Sequence, residues 1–198
     1  MSKIIEYFFS INSPWSFIGL EAFALLADRE GAEIRPFLTT VVEENGGIYS
    51  RNRPEPRRAY WLRDLERWSG IRGKSLRIRD RPAQSDPAPA AMMVIAALLD
   101  GQPWLPLTAA IQSAFWEHAE DIGDPDVRRT IADRVGFDGT RLLLRETDAD
   151  VKAKWEADRA HARECGVFGF PTYRFDGELY WGQDSLPLLE RHLKGDRP

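Results

Sequence analysis

The segment IIEYFF, residues 4–9, is apolar at nearly every position and rich in aromatic and β-branched side chains. A strand of this kind has to be covered on both faces, as in a sheet that lies between helices. The segment that follows, SPWSFIGLEAFALLADREG, has helical apolar spacing between a serine-proline start and a glycine stop. A second strand pattern, AEIRPFL, completes a predicted β-α-β unit.

The C-terminal part of the chain predicts a hairpin and a closing helix. The segments PTYRF and ELYW flank Asp176-Gly177, a pair that tolerates the positive φ angles of a tight turn. In the segment DSLPLLERHLKG, Asp184 or Ser185 is the predicted helix cap and Pro187 falls in the first turn.

The segments between these two ends show helical patterns. They are RRAYWLRDLERWSG, AAMMVIAALLDG, LPLTAAIQSAFWEH, DPDVRRTIADRVG, DGTRLLLRE and TDADVKAKWEADRAHARECG. The order β-α-β, helices, β-β-α predicts an α/β, thioredoxin-like fold with a helical insertion. We expect one domain over residues 1–198, with thioredoxin parts at about 1–45 and 166–198 and an all-helical insertion at about 55–165.

The composition limits the classes of partner. The chain has 198 residues, of which 43% are hydrophobic and 29% charged, as in globular proteins. The formal net charge of −4 argues against general nucleic-acid binding, although arginines are dense in RNRPEPRR. No apolar run approaches the ~20 residues of a membrane helix, and the first residues lack the features of a signal peptide. We therefore expect a cytoplasmic protein with no nucleic-acid or membrane partner.

Cysteine and histidine residues are few. A single cysteine, Cys165, cannot form an internal disulfide and falls on the apolar face of a predicted helix, so we expect it to fill space in the core. The histidines His118, His161 and His192 show no metal-ligand spacing. They are predicted to lie at the surface or the rim of the core, and no metal site is predicted.

The junction of the first strand and helix reads Ser13-Pro14-Trp15-Ser16. Redox-active thioredoxin folds carry Cys-X-X-Cys at this place, and serine cannot carry out disulfide exchange. Two interpretations of Ser13 remain: it is only the N-cap of a helix that starts with proline, or its hydroxyl takes part in catalysis. Ser16 lies in the first turn of the helix, and its role stays open.

A second feature is the pair Phe170-Pro171 in GVFGFPTYRF, directly before a predicted strand. In thioredoxin-like folds a cis proline precedes the strand that faces the active site, so we predict a cis bond here. The Phe170 backbone could then pair with an extended ligand. A trans proline that opens an edge strand is the alternative.

Three stretches in chain order carry a resemblance to a known family. They are FFSINSPWSFIG, then NRP with AYWLRDLERW, and finally GVFGFPTYRFDGELYWGQDSL. Together they resemble the 2-hydroxychromene-2-carboxylate isomerases, which are relatives of kappa-class glutathione transferases within the wider DsbA-like group. The resemblance covers nearly the whole chain, and the last stretch is its most specific part.

The resemblance implies a glutathione site. Ser13 matches the catalytic serine, whose hydroxyl would donate a hydrogen bond to the glutathione sulfur and favour the thiolate. Phe170 and Pro171 match the pair whose backbone holds the cysteinyl part. Asp184 and Ser185 match the pair that holds the γ-glutamyl end, with the Asp184 carboxylate taking the ammonium group.

Other matches to the family lie in and around a loop of variable length. Asn52 matches a loop asparagine near the thiol, and Arg57 matches a basic residue for the glycine carboxylate. We expect Trp15 and Phe170 to line an apolar pocket for the aryl group of the substrate. Arg174 departs from the family pattern by placing a charge in a predicted strand, as at an exposed edge.

The resemblance implies a glutathione-dependent isomerase that interconverts 2-hydroxychromene-2-carboxylate and trans-o-hydroxybenzylidenepyruvate-type substrates in aromatic catabolism. Relatives of this type imply a small-molecule aromatic substrate and a homodimer. One alternative is a kappa-like glutathione transferase that acts on other electrophiles, because the same site serves both reactions. An alternative of another class is a non-catalytic thioredoxin-like module that binds an extended peptide.

Overall fold

A computed structural model describes residues 3–79 and 82–196 of the chain. Its strands and helices, in chain order, are β1 (Lys3–Phe9), α1 (Pro14–Arg29), β2 (Ala32–Leu38), α2 (Glu55–Ile71), α3 (Ala88–Leu99), α4 (Trp104–Trp116), α5 (Pro125–Arg134), α6 (Gly139–Arg145), α7 (Ala149–Glu164), β3 (Thr172–Phe175), β4 (Glu178–Trp181) and α8 (Leu186–Leu193). Short 3-10 turns lie at Glu43–Asn45, Ser50–Asn52 and Gln183–Ser185. The structure confirms the predicted α/β class and the order of elements.

The chain divides into two compact units. One contains the residues up to 73 together with those from 159 onward, and the other contains residues 74–158. The first unit holds the sheet, α1, α2, α8 and the end of α7. The second unit is helical.

The sheet of the first unit has the strand order β2-β1-β3-β4. Strand β1 pairs parallel with β2 and antiparallel with β3, and β3 pairs antiparallel with β4. Both faces of β1 are buried: the Tyr7 ring packs against Phe23 of α1 at a tilted angle, while Phe8 contacts Phe37 and the His161 ring of α7. The aromatic, two-sided pattern of β1 therefore reflects helices packed on both faces of the sheet.

The Asp176-Gly177 turn joins β3 and β4 as predicted. Asp176 has φ 49° and Gly177 has φ 87°, so both residues adopt the left-handed region that a two-residue hairpin turn needs.

Arg174 does not lie at an exposed edge, contrary to expectation. Strand β3 runs between β1 and β4, and Arg174 is directly opposite Glu6 of β1. The Arg174 Nη1 donates to Glu6 Oε2 at 2.6 Å. The charge is tolerated inside the sheet because a carboxylate on the neighbouring strand pairs with it.

His192 is buried rather than at the surface or the rim of the core. It lies on α8 beside the buried Leu189 and Leu193, and its Nδ1 is 2.7 Å from the phenol oxygen of Tyr180. The short helix α8 buries this histidine together with its leucines, and a hydrogen bond to one ring nitrogen offsets part of the cost of burial.

Gly19 of α1 allows the Gln183–Ser185 turn to approach the helix. A Cβ at this position would lie 2.5 Å from Gln183 Cβ and 3.3 Å from the Tyr173 phenol oxygen. We expect Gly19→Ala to lower the free energy of unfolding by about 1–3 kcal/mol, the usual cost of overpacking, despite the better helix propensity of alanine.

The matched control for this change is Gly70 of α2, where an added Cβ meets nothing within 4 Å. Gly70→Ala should stabilise the protein by about 0.5–1 kcal/mol. Urea unfolding followed by circular dichroism measures both variants. A Gly19→Ala protein as stable as the Gly70→Ala protein would show that the turn is not held against α1.

The helical unit has its own core, and Arg128 and Glu146 form a buried ion pair in it. Helix α3 is central to it, with Met93, Val94 and Ile95 fully buried. Arg128 of α5 donates from Nε and Nη2 to the two carboxylate oxygens of Glu146, each at 2.8 Å. Burial raises the pKa of the Glu146 carboxyl, and the hydrogen bonds from Arg128 oppose that effect.

Within residues 3–79 and 82–196, no helix is both long enough and apolar enough to cross a lipid bilayer.

Candidate active site

Ser13 occupies the junction between β1 and α1. It has extended backbone angles, φ −80° and ψ 122°, and its side-chain oxygen accepts a hydrogen bond from the Ser16 backbone N–H at 3.2 Å. Pro14 follows as the first helical residue, and the first turn of α1 contains no acidic side chain. Ser13 is therefore an N-cap, and no carboxylate in the first turn neutralises the positive end of this helix.

The cap uses only the acceptor side of the Ser13 hydroxyl. The hydroxyl proton is directed to the Phe170 carbonyl oxygen at 3.5 Å, a long contact for a hydrogen bond between oxygen atoms. A hydroxyl carries one donor and two acceptor positions. The two interpretations of Ser13 are therefore compatible, because the side chain can cap α1 and still donate to a ligand.

The segment opposite Ser13 is held in place by Gly182. The Phe170–Pro171 peptide bond is cis, and the Pro171 carbonyl accepts from the Gly182 N–H at 2.8 Å. Gly182 has φ 87°, and an added Cβ would collide with the Asp184 carboxylate. A glycine at position 182 thus lets the chain turn so that Asp184 folds back toward the proline segment.

These elements surround a cavity of about 690 Å³ within the first unit. Its lining residues are Ser10, Asn12, Ser13, Pro14, Trp15, Thr40, Val41, Gly46, Ile48, Tyr49, Ser50, Arg51, Arg53, Arg57, Tyr60, Trp61, Asp64, Phe168, Gly169, Phe170, Trp181, Gly182 and Asp184. The volume falls within the range of pockets that bind small molecules, about 300–1,000 Å³.

Most of the side chains proposed from the sequence meet at this cavity. Ser13, Trp15, Arg57, Phe170 and Asp184 all line it. Phe170 as a whole is only 7% exposed and packs in a core cluster, so little of its ring is open to the cavity.

Three further residues are not among those that line the cavity. They are Asn52, Pro171 and Ser185. Asn52 lies exposed in the Ser50–Asn52 turn. The Ser185 hydroxyl donates to the Gly182 carbonyl at 2.7 Å, so this hydrogen bond stabilises the turn that carries Asp184.

One wall of the cavity is cationic. Arg51, Arg53 and Arg57 line it together, and the Arg51 guanidinium lies over the Tyr49 ring at 4.3 Å. Burial lowers the pKa of Arg53, and the positive charge of Arg57 acts in the same direction. The buried Nε of Arg53 has no hydrogen-bond partner among the described residues. This wall is therefore suited to an anionic ligand.

Aromatic side chains form much of the remaining surface. Trp15 and Trp61 are half-buried, whereas Tyr60 is 61% exposed and Trp181 is 52% exposed. Phe168 packs edge-on against Trp181, with ring centroids 4.8 Å apart. Exposed aromatic rings beside a cationic wall can accommodate an aryl group that carries an acid.

A loop between β2 and α2 closes another side of the cavity. Asn45 Nδ2 donates to the backbone carbonyls of Arg163 and Val167, at 3.0 and 2.9 Å. A Cβ on Gly47 would collide with the Phe168 carbonyl. The loop is thus fastened to the segment that leads to Phe170.

Ser16 does not reach the cavity wall. It is fully buried, and its side chain lies close to the buried phenol of Tyr7. Burial raises the pKa of that phenol, and the Ser16 contact opposes the effect only partly. Ser16 therefore belongs to the packing of α1 on β1.

Cys165 is half-buried and packs against the core cluster that contains Phe8 and Val167. Burial raises the pKa of its thiol, so it is not an activated nucleophile.

Sequence reasoning missed several cavity residues. Apart from Arg57, the arginines of residues 51–58 were described only as a dense run, and Trp61 and Leu65 only as members of a predicted helix. Leu65 is fully buried, whereas Trp61 lines the cavity. The dense RNRPEPRR run was the signal for the cationic wall, but nothing local showed that Tyr49, Tyr60 or Trp181 would face it.

A model of the DsbA-like thioredoxin domain family matches residues 4–194. A 2-hydroxychromene-2-carboxylate isomerase from Sphingobium xenophagum is 29% identical over 197 residues, which span 98% of this chain and 99% of that protein.

Solved structures show the same fold. A 2-hydroxychromene-2-carboxylate isomerase superposes with a TM-score of 0.79 at 21% identity, covering 97% of this chain and 95% of that one. The cytosolic disulfide reductase DsbM from Pseudomonas aeruginosa, solved with GSH, has a TM-score of 0.70 at 20% identity and covers 96% and 99%.

Proposed function

Because this chain belongs to the DsbA-like thioredoxin domain family and carries serines where redox members carry cysteines, we propose that it is a glutathione-dependent isomerase. Its substrates are of the 2-hydroxychromene-2-carboxylate and trans-o-hydroxybenzylidenepyruvate type. Support comes from the relative named 2-hydroxychromene-2-carboxylate isomerase, which matches almost end to end. Disulfide exchange is disfavoured, because the only thiol is Cys165, outside the Ser13–Ser16 motif.

The observation that carries the proposal is the position of the Ser13 hydroxyl. It sits on the cavity wall at the start of α1, with its acceptor side used by the Ser16 N–H and its donor side in one long contact. A donor at the positive end of a helix stabilises a thiolate beside it relative to the thiol. The site is therefore suited to activate a thiol that arrives with a ligand.

The residues present fit glutathione. The Asp184 carboxylate, held by the Gly182 turn, would take the ammonium group of the γ-glutamyl end. Arg53, with its buried and unpartnered Nε, and Arg57 would take a carboxylate. The Phe170 backbone would hold the cysteinyl part. Bound glutathione supplies a thiolate, which is both a good nucleophile and a good leaving group.

The substrate would occupy the aromatic side of the same cavity. Trp15, Tyr60 and Trp61 offer ring surface for an aryl group, and Arg51 offers a guanidinium for the substrate carboxylate. The chain itself orients the two ligands and excludes water from between them, while Ser13 holds a proton toward the sulfur.

The test is calorimetry with glutathione followed by two assays. The proposal expects glutathione binding and glutathione-dependent conversion of 2-hydroxychromene-2-carboxylate. If the protein binds glutathione and turns over a generic aryl halide but not the chromene carboxylate, the transferase alternative is indicated. Absence of any glutathione affinity would overturn the proposal and favour a peptide-binding module.

Asp184→Asn is expected to weaken glutathione binding by about 1.5–3 kcal/mol, the cost of losing a charge-assisted contact. Asp184 is exposed, so folding should change little. Calorimetry measures the change in Kd, and Glu178→Gln, an exposed carboxylate of β4 away from the cavity lining, is the matched control. An unchanged Kd in Asp184→Asn would show that the ammonium group binds elsewhere.

A further inference from the structure

Three potential metal ligands meet on the face of the sheet that α7 covers. Cys165 directly follows the end of α7 and lies one helical turn after His161, with its backbone N–H donating to the His161 carbonyl at 2.9 Å. Glu6 Oε1 lies 3.0 Å from His161 Nε2, and Cys165 Sγ lies 3.7 Å from the same nitrogen. One ligand atom from each of these residues lies within 4.8 Å of the other two.

These separations are close to those of a tetrahedral metal site. With zinc–nitrogen and zinc–oxygen bonds near 2.0–2.2 Å and zinc–sulfur bonds near 2.3 Å, ligand atoms stand about 3.3–3.6 Å apart. The two separations from His161 Nε2 bracket that range. The remaining separation, between the Glu6 carboxylate and Cys165 Sγ, is within 4.8 Å.

We propose that Glu6, His161 and Cys165 bind a divalent cation of the zinc class. A thiolate, an imidazole and a carboxylate form a donor set that such ions prefer over magnesium or calcium. On binding, the Cys165 thiol loses its proton to solvent as the sulfur–metal bond forms. Three protein ligands leave a fourth position for water.

The surroundings of the cluster support this role. Arg174 Nη1 donates to the second carboxylate oxygen of Glu6, an outer contact that fixes the orientation of a ligating carboxylate. The rings of Phe8 and Phe37 pack against the His161 imidazole, with centroids 5.5 and 4.7 Å away. The His161 side chain is 32% exposed, so an ion can enter from solvent.

The site would fasten the end of α7 to the central strand of the sheet. Cys165 also packs against the core cluster that contains Val167 and Phe170. A bound ion would therefore restrain the segment that leads into one wall of the cavity, although the inference does not depend on the function proposed above.

The test is a titration of the reduced, chelator-treated protein with Co²⁺, followed by competition with Zn²⁺. We expect a near-ultraviolet thiolate-to-cobalt charge-transfer band that saturates at one ion per chain. Zn²⁺ should abolish this band and raise the Tm of the wild-type protein.

Loss of the band in Cys165→Ser shows only that a thiolate is involved, so the decisive variants keep the thiol. His161→Asn and Glu6→Gln should each weaken Co²⁺ binding at least about tenfold, because even loss of an outer contact to a metal ligand costs about 10- to 100-fold. His118→Asn, an exposed histidine of the helical unit, is the control and should bind as the wild type does.

Two results would overturn the proposal. Equal Co²⁺ affinity in the wild type and His161→Asn would mean that the thiol binds the ion alone. A stoichiometry of one ion for two chains would mean that Cys165 of two molecules shares it. Because Glu6→Gln also removes the partner of Arg174, its circular dichroism spectrum must match that of the wild type before its affinity is compared.

Discussion

Ser13→Ala is expected to reduce glutathione-dependent turnover by roughly a hundredfold at saturating glutathione, the usual cost of removing one preorganised donor. The pKa of bound glutathione should rise, because the thiolate loses the hydroxyl that favours it. At neutral pH a smaller fraction of the bound thiol is then ionised, so the activity profile shifts toward higher pH. Thiolate absorbance of the complex, titrated against pH for both proteins, measures the shift directly.

The cap role of Ser13 requires a control, since alanine also removes the contact to the Ser16 N–H. Replacing an N-cap serine by alanine costs roughly 0.5–2 kcal/mol of stability, whereas replacing it by glycine costs only a few tenths of a kcal/mol. Ser13→Gly should therefore lose turnover like Ser13→Ala while keeping nearly wild-type stability. Coincident thiolate titrations in wild type and both variants would show that Ser13 only caps the helix.

Ser13→Cys provides a qualitative check. It restores half of the redox motif, but position 16 keeps a buried serine, and Cys165 packs against the core cluster near α7. We expect no disulfide oxidoreductase activity, which a dithiol reduction assay would verify.

Glu146→Ala should lower the free energy of unfolding by about 3–5 kcal/mol, because it leaves the buried Arg128 guanidinium without its carboxylate. The side chains of Arg128 and Glu146 are only 5% and 8% exposed, and the remaining Arg128 bond goes to the Ile122 carbonyl at 3.0 Å. Urea unfolding followed by circular dichroism measures the loss.

Two further variants test whether the loss of stability comes from the buried, unpaired charge rather than from removing any ion pair. Arg129→Ala breaks the exposed pair with Asp133 on the same helix and should cost no more than about 1 kcal/mol. The double change Arg128→Met with Glu146→Leu removes both charges and should lose much less stability than Glu146→Ala alone. A double variant as unstable as the single one would show that packing, and not the unpaired charge, accounts for the loss.

The strands and helices followed from local patterns. Two-sided apolar character predicted β1, Ser13-Pro14 predicted the start of α1, and Asp176-Gly177 predicted the hairpin, because each depends on backbone preferences within a few residues. The cavity residues Ser13, Trp15 and Asp184 were proposed as site residues from the resemblance to the isomerase family, which local backbone patterns alone would not have given.

Contacts between distant segments were not predictable in the same way. Arg174 was read as an edge charge because its partner Glu6 is remote in sequence, and only the strand register brings the two together. The partnering of His161 with Glu6 depends on the same register. Ser185 was predicted to bind the γ-glutamyl end of glutathione, yet its hydroxyl donates to the Gly182 carbonyl. The shape of the turn decides which acceptor the hydroxyl reaches.

The position of β1 in the sheet has a consequence for synthesis on the ribosome. Its partner β2 is made soon after it, but its other neighbour, β3, follows about 160 residues later. At about 5–20 residues per second, one hydrogen-bonding edge of β1 stays open for roughly 8–30 s. An aromatic strand with an unpaired edge is prone to pair with other chains. In the nascent β-α-β unit, a chaperone or rapid completion of the chain would therefore limit pairing with other chains.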